Sequence, residues 1–167
     1  MNLQEVKQKD ILKIKEIYEE AIPEDERISF EDLTKGAFPN SKLFGIYEDK
    51  ELLGMCYLSL AEDFSYLVYL AVDKDKRNKG YGTNALKLIK EKFKNPIVLC
   101  VEQPTTLMRK RRIEFYKRNG FGVADFEFDY LNDKYYTMHT GKINKTKFID
   151  YLLICFPGCT NFKQIKK

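Results

Sequence analysis

The chain has 167 residues, of which 44% are hydrophobic and 14% aromatic, which is typical of one packed domain and excludes a disordered protein. Its 29 basic residues exceed its 25 acidic residues by four, giving a net charge of +4. This mild charge permits an anionic small-molecule ligand. It does not indicate binding to nucleic acid or to a membrane surface, so we expect neither partner.

The start of the chain and its cysteines favour a cytoplasmic protein. Residues 1–10 are polar and charged, unlike a secretory signal. Cys56 and Cys100 lie in apolar runs that predict strands, as small core residues do in a reducing compartment. The other two of the four cysteines are accompanied by a single histidine in the whole sequence. That is too few ligands for a tetrahedral zinc site, and we expect no metal.

The first forty residues predict a short strand, an amphipathic helix and an acidic segment. Residues 2–9 can form the strand, and Asp10 is placed to cap the helix that follows. An acidic run over residues 24–26 comes after Pro23, and residues 31–37 can form a second, short helix. The first helix is indicated by apolar residues at helical spacing: Ile11, Ile14, Ile17, Tyr18, Ala21 and Ile22.

A hairpin and a strand–turn–helix unit follow. Residues 42–47 and 52–60 predict two strands joined by a polar turn, and Gly54 indicates a bulge or a close backbone approach. The apolar run over residues 66–72 predicts a mostly buried strand, after which a charged segment leads to two glycines. Beyond the glycines, one helix face is formed by Tyr81, Ala85, Leu88, Ile89 and Phe93.

The second half of the chain predicts a strand, a helix and a closing hairpin. Residues 97–101 are apolar and β-branched, and Glu102 ends this strand. Residues 109–119 predict a helix with Gly120 as its C-terminal cap. The hairpin covers residues 121–140.

The sequence predicts a domain over residues 1–140, followed by an extension over residues 141–167. Residues 148–156 are apolar apart from Asp150, which is much shorter than the roughly twenty residues of a membrane span. We expect a helix that packs on the domain or on a partner. The sequence leaves both monomer and homodimer open.

The glycine turn is a candidate phosphate site. Gly80 and Gly82 let the backbone come close to a ligand, and the first N–H groups of the following helix lack internal partners. Arg77 and Lys79 add positive charge. The alternative is a tight connection whose glycines serve only the bend.

The same glycines also fit a dinucleotide fingerprint, Gly80-x-Gly82-x-x-Ala85, with Glu102 near the expected ribose-binding acid. Two observations weigh against a dinucleotide-binding oxidoreductase. A charged segment separates the strand from the glycines, and no second series of strand–helix units follows to complete a six-stranded parallel sheet.

Two motifs occur in this order: Arg77-Asn78-Lys79-Gly80-Tyr81-Gly82 after a strand, and Phe115-Tyr116 through Gly120-Phe121 at the end of a later helix. Together they resemble the GNAT superfamily of N-acetyltransferases. Arg77-Asn78-Lys79-Gly80-Tyr81-Gly82 is similar to the family's acetyl-CoA signature, Gln/Arg-x-x-Gly-x-Gly/Ala after a strand. Phe115-Tyr116 through Gly120-Phe121 is similar to the Phe-Tyr-x-x-x-Gly-Phe that ends a later helix of the family. The resemblance covers residues 43–140 and, in outline, the first forty. Asn78 stands where many members have glycine, and asparagine tolerates left-handed backbone, so we expect the turn to be kept.

The resemblance implies an α/β (α+β) fold with a mixed, mostly antiparallel central sheet, a parallel splayed strand pair and flanking helices. It also implies acetyl-CoA as co-substrate, with the pyrophosphate on the turn and the pantetheine arm paired with the backbone of the preceding strand. The cofactor-binding residues so implied are Leu70, Ala71, Val72, Arg77, Asn78, Lys79, Gly80, Tyr81, Gly82 and Thr83.

The resemblance further implies that Tyr116 returns a proton to the departing thiolate. A phenol has a pKa of about 10 and a thiol of about 8.5, so the tyrosine is protonated and able to donate. The alternative is one more buried aromatic residue of the helix. The acceptor ammonium, with a pKa of about 10.4, must lose a proton first, and Glu102 is the first candidate base. A solvated charge at a strand end is an equally open interpretation of Glu102.

The resemblance places the region between the first helix and the second strand beside the acceptor pocket. Glu24, Asp25 and Glu26 are therefore predicted to attract a cationic amine, the alternative being a solvated surface. The basic run over residues 109–112 is interpreted as a solvated helix face or a neighbour of the ribose 3′-phosphate of CoA. The predicted function is acetyl transfer to a primary amine of a small molecule or a protein. A non-catalytic module that senses acetyl-CoA on the same fold is the alternative.

Overall fold

The computed structural model describes residues 1–165, and its contacts divide the chain into two units. The first unit comprises residues 1–61 and 66–94. The second comprises residues 62–65 and the chain from Asn95 onward. Lys166 and Lys167, the end of the predicted extension, lie outside the described residues.

The first unit contains four neighbouring strands in the order β1-β2-β3-β4, with β1, β2 and β3 antiparallel. Short 3₁₀ turns at Gln8–Asp10, Glu24–Glu26 and Lys74–Lys76 join some of its elements. The elements are β1 (Asn2–Glu5), α1 (Ile11–Ala21), α2 (Phe30–Lys35), β2 (Ser41–Glu48), β3 (Glu51–Leu60), all but the first residue of β4 (Ser65–Val72), and α3 (Tyr81–Lys92).

Helix α1 begins where the sequence predicts, but the side chain at its N-cap does not cap it. Its apolar stripe is buried through Ile14, Ile17 and Tyr18. Asp10 occupies the N-cap position, yet its side chain accepts no hydrogen bond from the helix backbone. The Asp10 carboxylate accepts a 3.0 Å hydrogen bond from the Tyr47 hydroxyl instead. The capping role predicted for Asp10 is therefore wrong, because a buried phenol in β2 competes for the same carboxylate.

The β2–β3 hairpin explains why Gly54 is a glycine. Asp49 and Lys50 form the two-residue turn, with φ of 46° and 73°, as the right-handed twist of a hairpin favours. The register shifts beyond Ile46, which lies opposite Gly54. A Cβ on Gly54 would overlap the carbonyl oxygen of Ala71. The predicted close approach at this glycine is confirmed.

Helix α3 buries Ala85, Leu86 and Ile89. Leu86 is not in the predicted stripe, and Leu88, which is in it, is only partly buried, so the inward face is rotated from the predicted one. Ala85 packs in a buried cluster with Ile46 and Leu53 of the β2–β3 hairpin. Partly buried apolar residues that pack against this cluster are Met1, Leu3, Leu70 and Tyr81.

The second unit has neighbouring strands in the order β5-β7-β6-β8, and its observed pairs are antiparallel. The predicted closing hairpin is confirmed, with Leu131 and Asn132 in left-handed backbone at its turn. The elements are β5 (Ile97–Glu102), α4 (Leu107–Arg118), β6 (Gly122–Tyr130), β7 (Asp133–His139), α5 (Lys145–Cys155) and β8 (Thr160–Gln164).

The tail packs within the second unit through helix α5. Phe148 is fully buried, and its ring lies 5.4 Å from the ring of Phe64 and 6.4 Å from that of Phe126. Lys147 forms an ion pair with Asp63. The tail then adds β8 beside β6, a strand that the sequence did not predict because residues 160–164 lack an alternating apolar pattern.

The predicted fold class, a mixed α/β fold with a mostly antiparallel sheet, one parallel strand pair and flanking helices, is confirmed. Within residues 1–165, no helix is both long and apolar enough to cross a membrane.

Candidate functional site

The turn between β4 and α3 has the backbone of an anion site. Asn78 and Gly80 both adopt left-handed conformations, with φ of 62° and 81°. The expectation that Asn78 keeps this turn is thus confirmed. A Cβ on Gly80 would meet no atom within 4 Å, so the demand for glycine there comes from its backbone angle.

The first turn of α3 carries uncapped N–H groups. No side chain caps the helix at Gly80, and the first backbone bond of the helix runs from the Asn84 N–H to the Gly80 carbonyl, at 3.1 Å. The N–H groups of Tyr81, Gly82 and Thr83 precede that bond and have no acceptor inside the helix. Such groups, at the positive end of the helix dipole, favour a phosphate.

Asp73 anchors the start of this turn. It is 6% exposed, and its carboxylate accepts a 3.0 Å hydrogen bond from the Asp75 N–H and lies 3.0 Å from Lys13 Nζ. Burial acts to raise the pKa of Asp73, but the bonds from Lys13 and Asp75 outweigh it, and the pKa is lowered. The carboxylate therefore stays ionised and ties the turn to α1.

Arg77 closes the turn back on the end of β4. Its Nε donates to the Val72 carbonyl at 3.1 Å, and both of its Nη atoms donate to the Glu20 carboxylate. Lys79 Nζ lies 3.3 Å from the carbonyl of Asp75. The expected positive charge of Arg77 is thus balanced by Glu20. The backbone N–H groups of the turn are therefore its main feature for binding an anion.

The residues before the turn differ in what their backbone faces. Leu70 is partly buried against the apolar cluster of the first unit. Ala71 is 4% exposed, with its carbonyl against Gly54, and the Val72 carbonyl is occupied by Arg77. Pairing of Leu70, Ala71 and Val72 with pantetheine stays a prediction.

Tyr116 is held by aromatic neighbours at the end of α4. Its ring centroid lies 5.2 Å from that of Phe115 and 5.5 Å from that of Phe121. Gly120 has a φ of 84°, and this turn lets the Phe121 N–H donate to the Tyr116 carbonyl at 3.1 Å. The glycine of the motif therefore has a structural reason, because it folds Phe121 back onto Tyr116.

The Tyr116 hydroxyl is neutral and unengaged. No residue of the described chain accepts or donates a hydrogen bond to it. Burial raises the pKa of Tyr116 to about 12, while the charge of Arg112 lowers it and that of Glu102 raises it. At neutral pH the phenol keeps its proton and is able to donate it.

Glu102 is not a solvated strand end. It is 4% exposed, and its Oε2 accepts a 2.7 Å hydrogen bond from Arg112 Nη1. The two residues form an ion pair in which the glutamate is the buried partner. The structure thus brings Glu102 and Tyr116 into one electrostatic group, together with Arg112, which the sequence did not single out.

The basic run of α4 is therefore only in part a solvated face. Arg109 pairs with Asp133 and also donates to the Thr105 hydroxyl at 3.0 Å, while Arg112 pairs with Glu102. Half of the run is thus engaged inside the second unit. The sequence feature that indicates this engagement is the short connection between β5 and α4, because it brings the start of the helix back to the end of the strand.

The acidic run lies on a 3₁₀ turn, with Glu24 and Asp25 exposed and Glu26 partly buried. The segment is fastened by hydroxyls of tyrosines. Tyr69 donates to the Glu26 carbonyl at 3.2 Å and accepts from the Ile28 N–H at 3.3 Å. Burial raises the pKa of Tyr69, so its hydroxyl stays protonated.

Two further tyrosines hold the same segment. Tyr18 donates to the Ile28 carbonyl at 3.0 Å, and its ring meets that of Tyr69 edge-on at 5.2 Å. Tyr57 accepts from the Ala37 N–H at 2.9 Å and stacks on Tyr69 at 6.4 Å. Sequence reasoning did not find this group of tyrosines, because their positions in three different elements show no common pattern.

No group of three or more histidine, cysteine, aspartate or glutamate side chains within residues 1–165 is arranged to hold a metal ion.

Comparison with solved structures identifies several with the same fold. A protein described as an acetyltransferase of the GNAT family from Bacteroides thetaiotaomicron is 28% identical, with a TM-score of 0.76, over 90% of this chain and 92% of that one. Naa50 from Arabidopsis thaliana, in complex with the bisubstrate analogue CoA-Ac-MVNAL, is 23% identical, with a TM-score of 0.61, over 84% and 98%. The ribosomal-protein-S18-alanine N-acetyltransferase from Escherichia coli is 14% identical, with a TM-score of 0.62, over 86% and 96%.

No curated protein sequence is significantly similar to this chain. The last two structures, below 25% identity, support the fold alone. The family model for the acetyltransferase (GNAT) family matches residues 11–121, which include both the glycine turn and Tyr116. This match covers well over half of the sequence, and the chain belongs to the acetyltransferase (GNAT) family.

Proposed function

We propose that this protein transfers an acetyl group from acetyl-CoA to a primary amine. The observation that carries the proposal is the turn between β4 and α3, with left-handed Asn78 and Gly80 and uncapped N–H groups at the start of α3. These features fit a pyrophosphate, because the first N–H groups of a helix without a side-chain cap are available to an anion.

Binding would involve residues 77–83 for the pyrophosphate and the backbone of Leu70, Ala71 and Val72 for the pantetheine arm. Acetyl-CoA supplies an activated thioester. A backbone N–H of β4 is proposed to donate to the oxyanion as it develops, a contribution of about 3 kcal/mol in related chemistry. Asp73 and Arg77 are proposed to preserve the shape of the turn through their contacts with Lys13 and Glu20.

Tyr116 is proposed as the general acid. Its hydroxyl is unengaged, and a pKa of about 12 keeps it protonated under assay conditions. As the C–S bond breaks, the phenol gives its proton to the thiolate sulfur, which forms the free thiol of CoA. The phenolate left behind is the stronger base and regains a proton from water before the next turnover.

Glu102 is the candidate for taking up the proton of the amine. Only its Oε2 is occupied by Arg112, so Oε1 is the atom through which it would act, directly or through water. Glu24 and Asp25 are exposed carboxylates and are proposed to draw a cationic amine toward the acceptor side. The proposal covers small-molecule and protein amines alike.

The test combines binding with turnover. We expect acetyl-CoA to raise the melting temperature of the protein, and Gly82→Asp to abolish most of that rise, because the new carboxylate crowds and repels the pyrophosphate. The matched control is Asn144→Asp, which adds the same charge at the N-cap of α5, where aspartate caps equally well. A panel of amines is then screened for thiol release from acetyl-CoA.

Each outcome has a distinct meaning. Equal stabilisation of the wild type and a folded Gly82→Asp protein would contradict the assignment of the turn. Stabilisation by acetyl-CoA without thiol release from any amine would favour the sensing module over the enzyme. Stabilisation by NADH alone would favour the dinucleotide alternative.

A further inference from the structure

We propose that Arg112 is a positioning residue that sets the charge balance at the Tyr116 hydroxyl by holding Glu102 in a buried ion pair. Its catalytic consequence rests on the proposed function. The ion pair and its influence on the tyrosine exist in the protein alone, and can be tested without cofactor or substrate.

The geometry places the three residues in one group. Arg112 and Tyr116 are four residues apart on α4 and so lie on the same helix face. Glu102 ends β5, and its Oε2 lies 2.7 Å from Arg112 Nη1. The glutamate side chain is 5% exposed and the arginine side chain 37%, so the pair is open to solvent only on the arginine side. A carboxylate buried this deeply needs a partner; Arg112 donates a hydrogen bond to it, and the charge of Arg109 also acts on it.

The two charges act on the tyrosine in opposite directions. A cation near the phenol favours the phenolate, and an anion favours the neutral form. Arg112 and Glu102 are the charged groups that act on Tyr116 from α4 and β5. The aromatic neighbours Phe115 and Phe121 add no charge. Of the charged residues that flank it on α4, Glu114 and Lys117 are exposed and paired with one another, and Arg118 is exposed as well.

Because the two charges act on the phenol in opposite directions, removing either partner exposes the effect of the other. Arg112→Gln leaves the negative charge of Glu102 facing the phenol, so Tyr116 holds its proton more tightly and becomes a poorer donor. Glu102→Gln leaves the positive charge of Arg112, so the phenol ionises more readily. A purely structural ion pair would not give opposite changes, since losing either partner would loosen the same packing.

The decisive measurement is the titration of Tyr116 in the protein without ligand. Tyrosine labelled with ¹³C at Cζ reports ionisation of each ring by NMR, and the Tyr116 signal is assigned by its loss in Tyr116→Phe. Between pH 8 and 11.5 we expect little titration in the wild type. In Glu102→Gln the apparent pKa should fall by about one unit, and in Arg112→Gln no titration should be seen. Arg112→Lys, which keeps the charge, should resemble the wild type.

The double variant Glu102→Gln/Arg112→Gln is the control for the case in which Arg112→Gln does not fold. It removes both charges together and leaves no buried unpaired carboxylate, so its Tyr116 should titrate close to the wild type even where Arg112→Gln is unstable. Shifts of both single variants in the same direction, or no shift of the Tyr116 titration in Glu102→Gln, would overturn the proposal.

A kinetic arm then connects the pair to catalysis. With acetyl-CoA and an active amine, we expect Arg112→Gln to lower kcat by about tenfold at unchanged KM for acetyl-CoA, with recovery in Arg112→Lys. A protein that transfers no acetyl group would fail this arm while still showing the opposed titrations. Failure of the proposed function and failure of this inference are therefore distinguishable.

Discussion

Replacing Tyr116 with phenylalanine removes one oxygen atom and leaves the ring between Phe115 and Phe121. The hydroxyl has no hydrogen-bond partner in the described chain, so the variant loses no internal bond. We expect its free energy of unfolding to stay within about 0.5 kcal/mol of the wild type. Affinity for acetyl-CoA should also be nearly unchanged.

The rate should respond far more strongly. Loss of a general acid lowers kcat by about 10²–10⁴-fold, which corresponds to roughly 2.7–5.4 kcal/mol in activation free energy. With the pKa of Tyr116 at about 12, only about one molecule in 10⁴ is ionised at pH 8. The defect should therefore be as large at pH 7 as at pH 9, and it should appear in kcat and kcat/KM together.

The assay follows release of free thiol from acetyl-CoA, with a reaction lacking amine as the blank. The matched control is Tyr47→Phe, the same chemical change at a hydroxyl that donates to Asp10. That variant should lose about 1 kcal/mol of stability and keep its kcat. Turnover near the wild-type rate in Tyr116→Phe would refute the reasoning, and so would a fall in melting temperature that accounts for the lost activity.

Three further predictions concern stability and the acceptor. Gly54→Ala should lower the free energy of unfolding by about 1–3 kcal/mol in chemical denaturation, because the new methyl group overlaps the carbonyl of Ala71. Burial raises the pKa of Tyr47 to about 12, whereas the tyrosine of the unfolded chain ionises near pH 10. The contribution of Tyr47 to the free energy of unfolding should therefore be fully present below about pH 10 and should be lost as the pH rises to 12. In Tyr47→Phe that decline should be shallower by up to about 1.36 kcal/mol per pH unit. Neutralising the acidic run over residues 24–26 should raise the KM of a cationic acceptor more than it lowers kcat, and the effect should shrink with added salt; an unchanged KM would mark the run as solvated surface.

The elements of the fold were predictable because local patterns determine them. The strand–turn–helix over residues 65–92 and the closing hairpin both combine a clear apolar period with a residue suited to left-handed backbone, such as Gly80 or Asn132. Strand β8 was not predictable, since its five residues acquire their conformation from pairing with β6. The cap at Asp10 failed for the same kind of reason, because its partner, Tyr47, is distant in the chain.

The candidate site was predictable in its residues but less so in their environment. The motifs identified the turn and Tyr116, and the structure gives both a local geometry. The ion pair of Glu102 with Arg112 escaped detection, because the short connection between β5 and α4 indicates that the helix returns to the strand end but not which side chains then meet. Burial and charge pairing depend on contacts between elements, which a pattern of residue types does not contain.

The tyrosine hydroxyls that hold the segment between α1 and β2 have a consequence for amide hydrogen exchange. The N–H groups of Ile28 and Ala37 lie outside regular strands, yet each donates to a phenolic oxygen, of Tyr69 and Tyr57 respectively. Both amides should exchange slowly with solvent deuterium, on the timescale at which the segment opens from the sheet. Each phenol protects a different amide, so Tyr69→Phe should speed exchange at Ile28 first and Tyr57→Phe at Ala37. The two rates would then show whether the acidic end and the β2 end of this segment open together or independently.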